Sequence, residues 1–169
     1  MKALFYDTES SCMPLFDQPS GDPRQPHIVQ VAAALIDTDT RQDLAALNFT
    51  VMPTDWSCDP ETQAIHGITP EVMAAIGISE SLAVRALLAL WEHADIRVGH
   101  VESFDCRMVR IACKRFVSDE YADRWKAGGA VCTKVLAGAH DDAFPAGNER
   151  IVAAVRAGRA RHAARCHCA

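Results

Sequence analysis

KALFYDTES at residues 2–10 and HIVQVAAALI at residues 27–36 are the stretches that decide the fold. The first opens with a short, mostly apolar run, Lys2 to Tyr6, ended by Asp7. This is the shape of a buried strand whose polar end emerges from a sheet. Asp7 then stands at a strand edge. Glu9 lies two residues on, so both side chains point to one side, where they can share a divalent cation. The plainer alternative is a solvated strand end. The stretch that follows holds Pro14, Pro19, Gly21, Pro23 and Pro26, which remove donors and fix the backbone, and it reads as a surface loop. Residues 27–36 are continuous and β-branched at their start, as in a central strand. The turn DTDTRQD (37–43) leads to a second strand at about Leu44 to Met52, giving an antiparallel hairpin.

Downstream, the pattern turns helical. Pro60 to His66 reads as a short helix broken by Gly67, and Thr69 suits the N-cap of the next helix. Ser79 to His93 is the clearest helix: Leu82, Ala86, Leu90, Leu87 and Trp91 recur at three- and four-residue spacing as its core face, with Ser79 as N-cap. Ile96 to Gly99 is a short strand. Phe104 to Phe116 is a second amphipathic helix, with Phe104, Met108, Ile111 and Ala112 on one face and Arg107, Arg110 and Lys114 on another. Strands first, then helix alternating with strand, predict an α/β fold built on a mixed sheet.

The chain has 169 residues, 49% of them apolar and 23% charged, enough for one globular domain with a core. No apolar run approaches the roughly 18–20 residues needed to cross a bilayer. MKALFYDTES lacks the apolar segment of a secretory signal. The seven Cys are scattered without a disulfide framework, as in a reducing compartment. These features predict a soluble, cytoplasmic protein with free thiols and no membrane partner. The net charge of −5 is uneven: five Arg and one acid from Glu149 onward give that tail +4, leaving −9 on the first 148 residues. Such an acidic body excludes broad, charge-driven duplex binding, which needs clustered Lys and Arg. It leaves open an enzyme that meets a nucleic-acid end through metal ions.

Three further groups carry candidate chemistry. Glu102 and Asp105, three apart where a strand joins a helix, are either ligands or ordinary first-turn acids. His140-Asp141-Asp142 sets a candidate base beside two carboxylates. Cys166-His167-Cys168, with His162, lacks the second Cys/His cluster that a structural zinc site requires. No Cys sits in a nucleophile setting.

Taken in order, LFYDTES (4–10), HIVQVAA (27–33), IHGITPE (65–71), GHVESFDCR (99–107) and GAHDD (138–142) resemble the DnaQ-like, DEDD-type 3′-to-5′ exonucleases, over roughly residues 1–142. The resemblance implies a ribonuclease H-like mixed β-sheet flanked by helices. It also implies two Mg²⁺ or Mn²⁺ ions that hydrolyse phosphodiester bonds from a 3′ end. Asp7 and Glu9 match the first acidic motif, Asp105 the acid of the second, and His140 the water-activating base of the third. Thr8, His66, His100 and Phe104 are implied to border the substrate. Single-stranded DNA is the implied first substrate, and a DNA polymerase the implied partner. The chemistry agrees: hard cations want oxygen ligands from several elements, and a His can take a proton at neutral pH.

The sequence also departs from the family. Ser10-Ser11-Cys12 follows the acid pair where Thr and Gly are usual, and Val101 replaces an Asn after His100. Pro145 stands where the last acidic ligand belongs, and proline breaks the helix that would carry it. Only six residues separate Thr133 from His140. These departures divide the chain into an exonuclease-like domain, 1–142, and a divergent, poorly packed basic tail, 143–169, an incomplete C-terminal portion. They also motivate the alternative of an inactive, exonuclease-derived module that binds nucleic acid or a partner.

Overall fold

The computed structural model describes residues 1–138. Strands β1 (Lys2–Ser10), β2 (Ile28–Asp37) and β3 (Gln42–Thr50) come first, then helices α1 (Pro60–His66), α2 (Pro70–Ile76) and α3 (Glu80–Trp91). β4 (Ile96–Gly99), α4 (Glu102–Phe116), α5 (Asp119–Ala127), β5 (Ala130–Cys132) and α6 (Thr133–Gly138) complete the order. The strands form one sheet in the order β3-β2-β1-β4-β5. β1–β2 and β2–β3 are antiparallel, whereas β1–β4 and β4–β5 are parallel. The sheet is therefore mixed, as the strand-then-helix order predicts. His140, Asp141, Asp142, Pro145 and the tail from 143 lie outside the described residues.

Two expectations need correction. β1 does not end at Tyr6 but runs to Ser10. Residues 7–10 pair with Ala32, Val31, Gln30 and Ile28, so the long neighbour β2 carries the strand through both acids. The inward face of α3 is Glu80, Ala83, Val84, Leu87 and Leu88, while Leu82 is 56% exposed. Glu80 sets this rotation, because its buried carboxylate accepts from the Ile28 N–H at 2.9 Å and meets His27 Nδ1 at 2.6 Å. A charged hydrogen bond at the first turn fixes which stripe of the helix meets the sheet.

The caps agree with the sequence. Thr69 and Ser79 accept from the backbone N–H three residues on, and Gly67 closes α1 in the left-handed region at φ 72°. α3 and α4 bury Leu87, Met108, Ile111 and Ala112 in the main core with Leu4, Val31 and Leu35 of the sheet. Trp125 of α5 is fully buried, with its ring edge-on to Tyr6 at 5.3 Å. Beneath it the buried Arg97 stacks its guanidinium on the indole at 4.2 Å. Arg97 also donates to the carbonyls of Trp125 and Gly128.

Candidate active site

β4 pairs with β1 only along Ala3–Phe5 and ends at Gly99, while β1 continues to Ser10. The outer half of β1 thus has a free edge at the carboxyl ends of two parallel strands, and the first turn of α4 fills it. In open sheets this is where ligands bind.

Asp105 occupies that edge. Its Oδ1 accepts from the Thr8 N–H at 2.9 Å and from the Thr8 hydroxyl at 2.7 Å. The carboxylate takes the acceptor role that a longer β4 would have supplied. Asp105 is only 2% exposed. Burial pushes it up to about 7, the two Thr8 bonds oppose that, and the charges of Asp7 and Glu102 add to it. Thr8 is itself buried, so its hydroxyl positions an acid; the sequence reading assigns it to the substrate.

Asp7 and Glu9 share one side of β1, as period-two strand geometry requires. Partial desolvation raises Asp7 above the usual carboxylate range, and the nearby His100 opposes it. Glu9 is raised by desolvation and then by the charge of Asp7. The charge of Asp7 therefore acts on both Glu9 and Asp105.

Glu102 does different work. It is buried, accepts from the Tyr6 hydroxyl at 2.8 Å, and pairs with Arg97 at 3.3 Å. It neutralises a buried guanidinium, so it is structural. His100 is exposed and its Nδ1 lies 3.0 Å from the Thr133 hydroxyl. Phe104 is half-buried on α4 against the core. His66 ends α1, and its Nδ1 accepts from the Ile68 N–H at 3.0 Å, which leaves the proton on Nε2. That Nε2 is buried and has no partner among the described residues. Desolvation lowers the His66 pKa, favouring the neutral ring.

Val101, the N-cap of α4, has φ 56° and ψ 44° and makes no side-chain cap. A β-branched residue is strained there, whereas Asn tolerates it. The absence of an Asn after His100 thus has a backbone consequence at the turn that aims Asp105.

The donor set suits a hard cation: carboxylate oxygens from β1 and α4 whose charges repel one another in the absence of a counter-charge. As placed, however, no three His, Cys, Asp or Glu side chains among the described residues converge tightly enough to coordinate one ion. Oδ1 of Asp105 is committed to Thr8.

The Exonuclease family model, RNase T, matches residues 4–164. The chain belongs to this exonuclease family. The family is DnaQ-like, and the mixed five-stranded sheet flanked by helices is its ribonuclease H-like fold. No curated protein matches it by sequence. Among solved structures it is similar to the metal-free E. coli ExoI–ssDNA complex, with a TM-score of 0.66 and 20% identity, covering 80% of this chain and 29% of that one. The zinc-bound E. coli ExoI–ssDNA complex gives 0.67 and 19%, covering 86% and 32%. Product-bound exonuclease I gives 0.68 and 19%, covering 88% and 35%. At these identities the likeness is one of fold, and the chain spans about a third of the length of those structures. Among the described residues no helix is long and apolar enough to cross a membrane.

Sequence reasoning singled out Asp7, Glu9, Asp105 and His100, and the structure gathers them at one end of β1 and α4. It missed Arg107 and Gln25, which hold the loop after β1. Arg107 donates to the Leu15 and Gln18 carbonyls. The fully buried Gln25 accepts from the Leu15 N–H and donates to the Leu15 and Pro19 carbonyls. A lone Gln among four prolines gives no periodic signal.

Proposed function

We propose that the chain is a 3′-to-5′ exonuclease acting on single-stranded nucleic acid, DNA first, with two divalent ions, Mg²⁺ or Mn²⁺. The observation that carries this reading is the placement of Asp105 against β1, bonded at 2.9 and 2.7 Å to Thr8, the residue between Asp7 and Glu9, in a chain whose family is exonuclease. Asp7, Glu9 and Asp105 would hold the ions, Asp105 by exchanging a Thr8 bond for a cation. Bound there, such ions supply an activated water and neutralise the leaving oxygen. The protein's own part is to desolvate and aim the acids: Thr8 fixes Asp105, and Arg97 removes Glu102 from the competition. His66, at the end of α1, would border the terminal nucleotide. His100 stands beside Asp7, and Phe104, in the first turn of α4, would line the path of the substrate. His140 is the proposed base. A DNA polymerase partner, a cytoplasmic location and a domain limit near residue 142 belong to the same proposal.

A second reading, a binding module without hydrolysis, is favoured by the commitment of Asp105 to Thr8 and by Pro145. One assay separates them: a 5′-labelled single strand incubated with and without Mg²⁺ or Mn²⁺, beside Asp7→Ala. Stepwise shortening that needs both metal and Asp7 supports the enzyme. Strand retention without shortening supports the module.

A further inference from the structure

Cys12 and Cys58 are 46 residues apart in sequence, yet the peptides beside them are directly bonded. The N–H of Asp59, in the peptide that joins it to Cys58, donates at 2.8 Å to the carbonyl of Ser11, in the peptide that joins it to Cys12. Facing peptides bonded in this way in a ladder hold their flanking Cα atoms about 4.5–5.5 Å apart. Disulfides form across Cα separations of about 4.4–6.8 Å. Both side chains are half-buried, and both are free thiols. The charge of Cys12 also reaches Cys58: burial first, and then that charge, raise the Cys58 thiol above its ordinary value.

The backbone next to each cysteine is already fixed. Ser11 also donates its N–H to the His27 carbonyl at 2.9 Å, and its Oγ accepts from the His27 N–H at 3.0 Å. Asp59 is the N-cap of α1, Pro60 follows it, and its carbonyl accepts from the Gln63 N–H at 2.8 Å. Closing a bond between the two sulfurs therefore asks for side-chain rotation and little backbone movement. No other cysteine pair among the described residues is placed in this way. Cys113 is buried, and Cys106 stands two turns from it along α4, about 10 Å away. Cys132 faces Gly99 across β5 and β4. In a reducing compartment, a pair held this close rests as a dithiol and closes when an oxidant arrives.

We propose that Cys12 and Cys58 are a redox modification site: a peroxide converts the two thiols into a disulfide that ties the end of β1 to the head of α1, and thiol reductants reopen it. The Cys12 sulfur attacks one peroxide oxygen, the O–O bond breaks, and a sulfenic acid and water result. The Cys58 sulfur then displaces the sulfenic oxygen, which leaves as a second water with the Cys58 proton. Two thiols are oxidised and one peroxide is reduced. The bond would join the strand that carries Asp7 and Glu9 to the helix that ends at His66. Its formation does not depend on the exonuclease reading.

The test treats the folded full chain with equimolar hydrogen peroxide, blocks the remaining thiols with iodoacetamide and digests it with trypsin without reduction. Cleavage after Lys and Arg leaves Cys12 alone in peptide 3–24 and Cys58 alone in peptide 42–85. Mass spectrometry should find these two peptides linked with the loss of two hydrogens, and separate again after dithiothreitol. The linked protein should melt about 5–15 °C above the reduced one, because the bond closes a long loop. Cys12→Ser and Cys58→Ser should each abolish the link and the shift, whereas Cys106→Ser should keep both. Recovery of Cys12 and Cys58 unlinked, as thiols or as sulfinic acids, overturns the proposal. So does a link from either one to a different cysteine or to a second chain. A linked protein that melts no higher than the reduced one overturns it as well, since the bond would then fit the fold no better than the unfolded chain.

Discussion

Asp105 and Thr8, 97 residues apart, are joined by two hydrogen bonds on one carboxylate oxygen. The pairing caps the free edge of β1 and locks the first turn of α4 against it. It also keeps a buried acid in place at a cost in charge: burial holds Asp105 near 7 even with both Thr8 bonds pulling the other way. The candidate site is thus built around a carboxyl that burial pushes well above the ordinary carboxylate range.

Removing the hydroxyl tests the pairing. Thr8→Val keeps the N–H bond and the side-chain volume while deleting the 2.7 Å bond. The variant should lose about 1–2 kcal/mol of stability in thermal or urea melts. Its Asp105 should titrate above the parent value, because a bond that favours the charged form is gone. An unchanged titration followed by carboxyl NMR would show that the hydroxyl does not act on Asp105.

Asp105 also makes stability depend on pH. Its folded value, about 7, lies above the roughly 3.9 of an unfolded Asp. Its contribution is therefore complete below about pH 4 and is lost as pH rises through 7. In EDTA the melting temperature should fall across that interval. Asp105→Asn keeps an oxygen for Thr8 and cannot ionise, so it should flatten the profile. At pH 8 it should be more stable than the parent by on the order of 1–3 kcal/mol, while losing metal-dependent turnover. Parallel profiles for parent and variant would contradict the assignment.

Val101 offers a stabilising change. At φ 56° its β-branched side chain carries strain of roughly 1–2 kcal/mol, and Asn adopts that conformation readily. Val101→Asn should raise the urea midpoint by an amount equivalent to about 1 kcal/mol without changing the m-value. A lower midpoint would mean that the valine's packing outweighs its backbone cost.

How much of this was legible beforehand follows from the range of the interactions. The Asp7–Glu9 pair, the Ser79 and Thr69 caps and the Gly67 stop are local, and periodicity or capping chemistry finds them. The far end of β1 was not legible, because β2, some twenty residues later, decides it. The face of α3 was read in part: Leu87, Leu90 and Trp91 do meet the core, but the spacing of Leu82 and Ala86 competes with that of Ala83 and Val84. The long-range hold of Glu80 on Ile28 breaks the tie. The bonds of Thr8 to Asp105 were not legible, because nothing in residues 7–9 reveals a partner at 105. α5 and β5, over 119–132, went unread: only Tyr121, Ala122 and Trp125 mark the inner side of a short, highly charged helix.

The buried phenol of Tyr6 gives a separate alkaline signature. Burial, and then the Glu102 charge, raise its pKa well above the ordinary value, so folding favours the protonated form. Stability tied to this group is complete below about pH 10 and falls as pH rises beyond it. Melting temperatures taken between pH 8 and 11 should drop less steeply in Tyr6→Phe, which gives up the 2.8 Å bond to Glu102 and is the less stable protein at pH 8. An equal slope in both proteins would place the alkaline transition elsewhere.

The most direct measurement is a Mn²⁺ titration of the full chain, followed by electron paramagnetic resonance of free and bound ion, for the parent, Asp7→Ala and Asp105→Asn. If Asp7, Glu9 and Asp105 act together as one hard-cation site, the parent takes up Mn²⁺ and each substitution weakens uptake at least about tenfold, as removing a carboxylate from such a cage should. Uptake that is absent in the parent, or unchanged by both substitutions, would contradict the account.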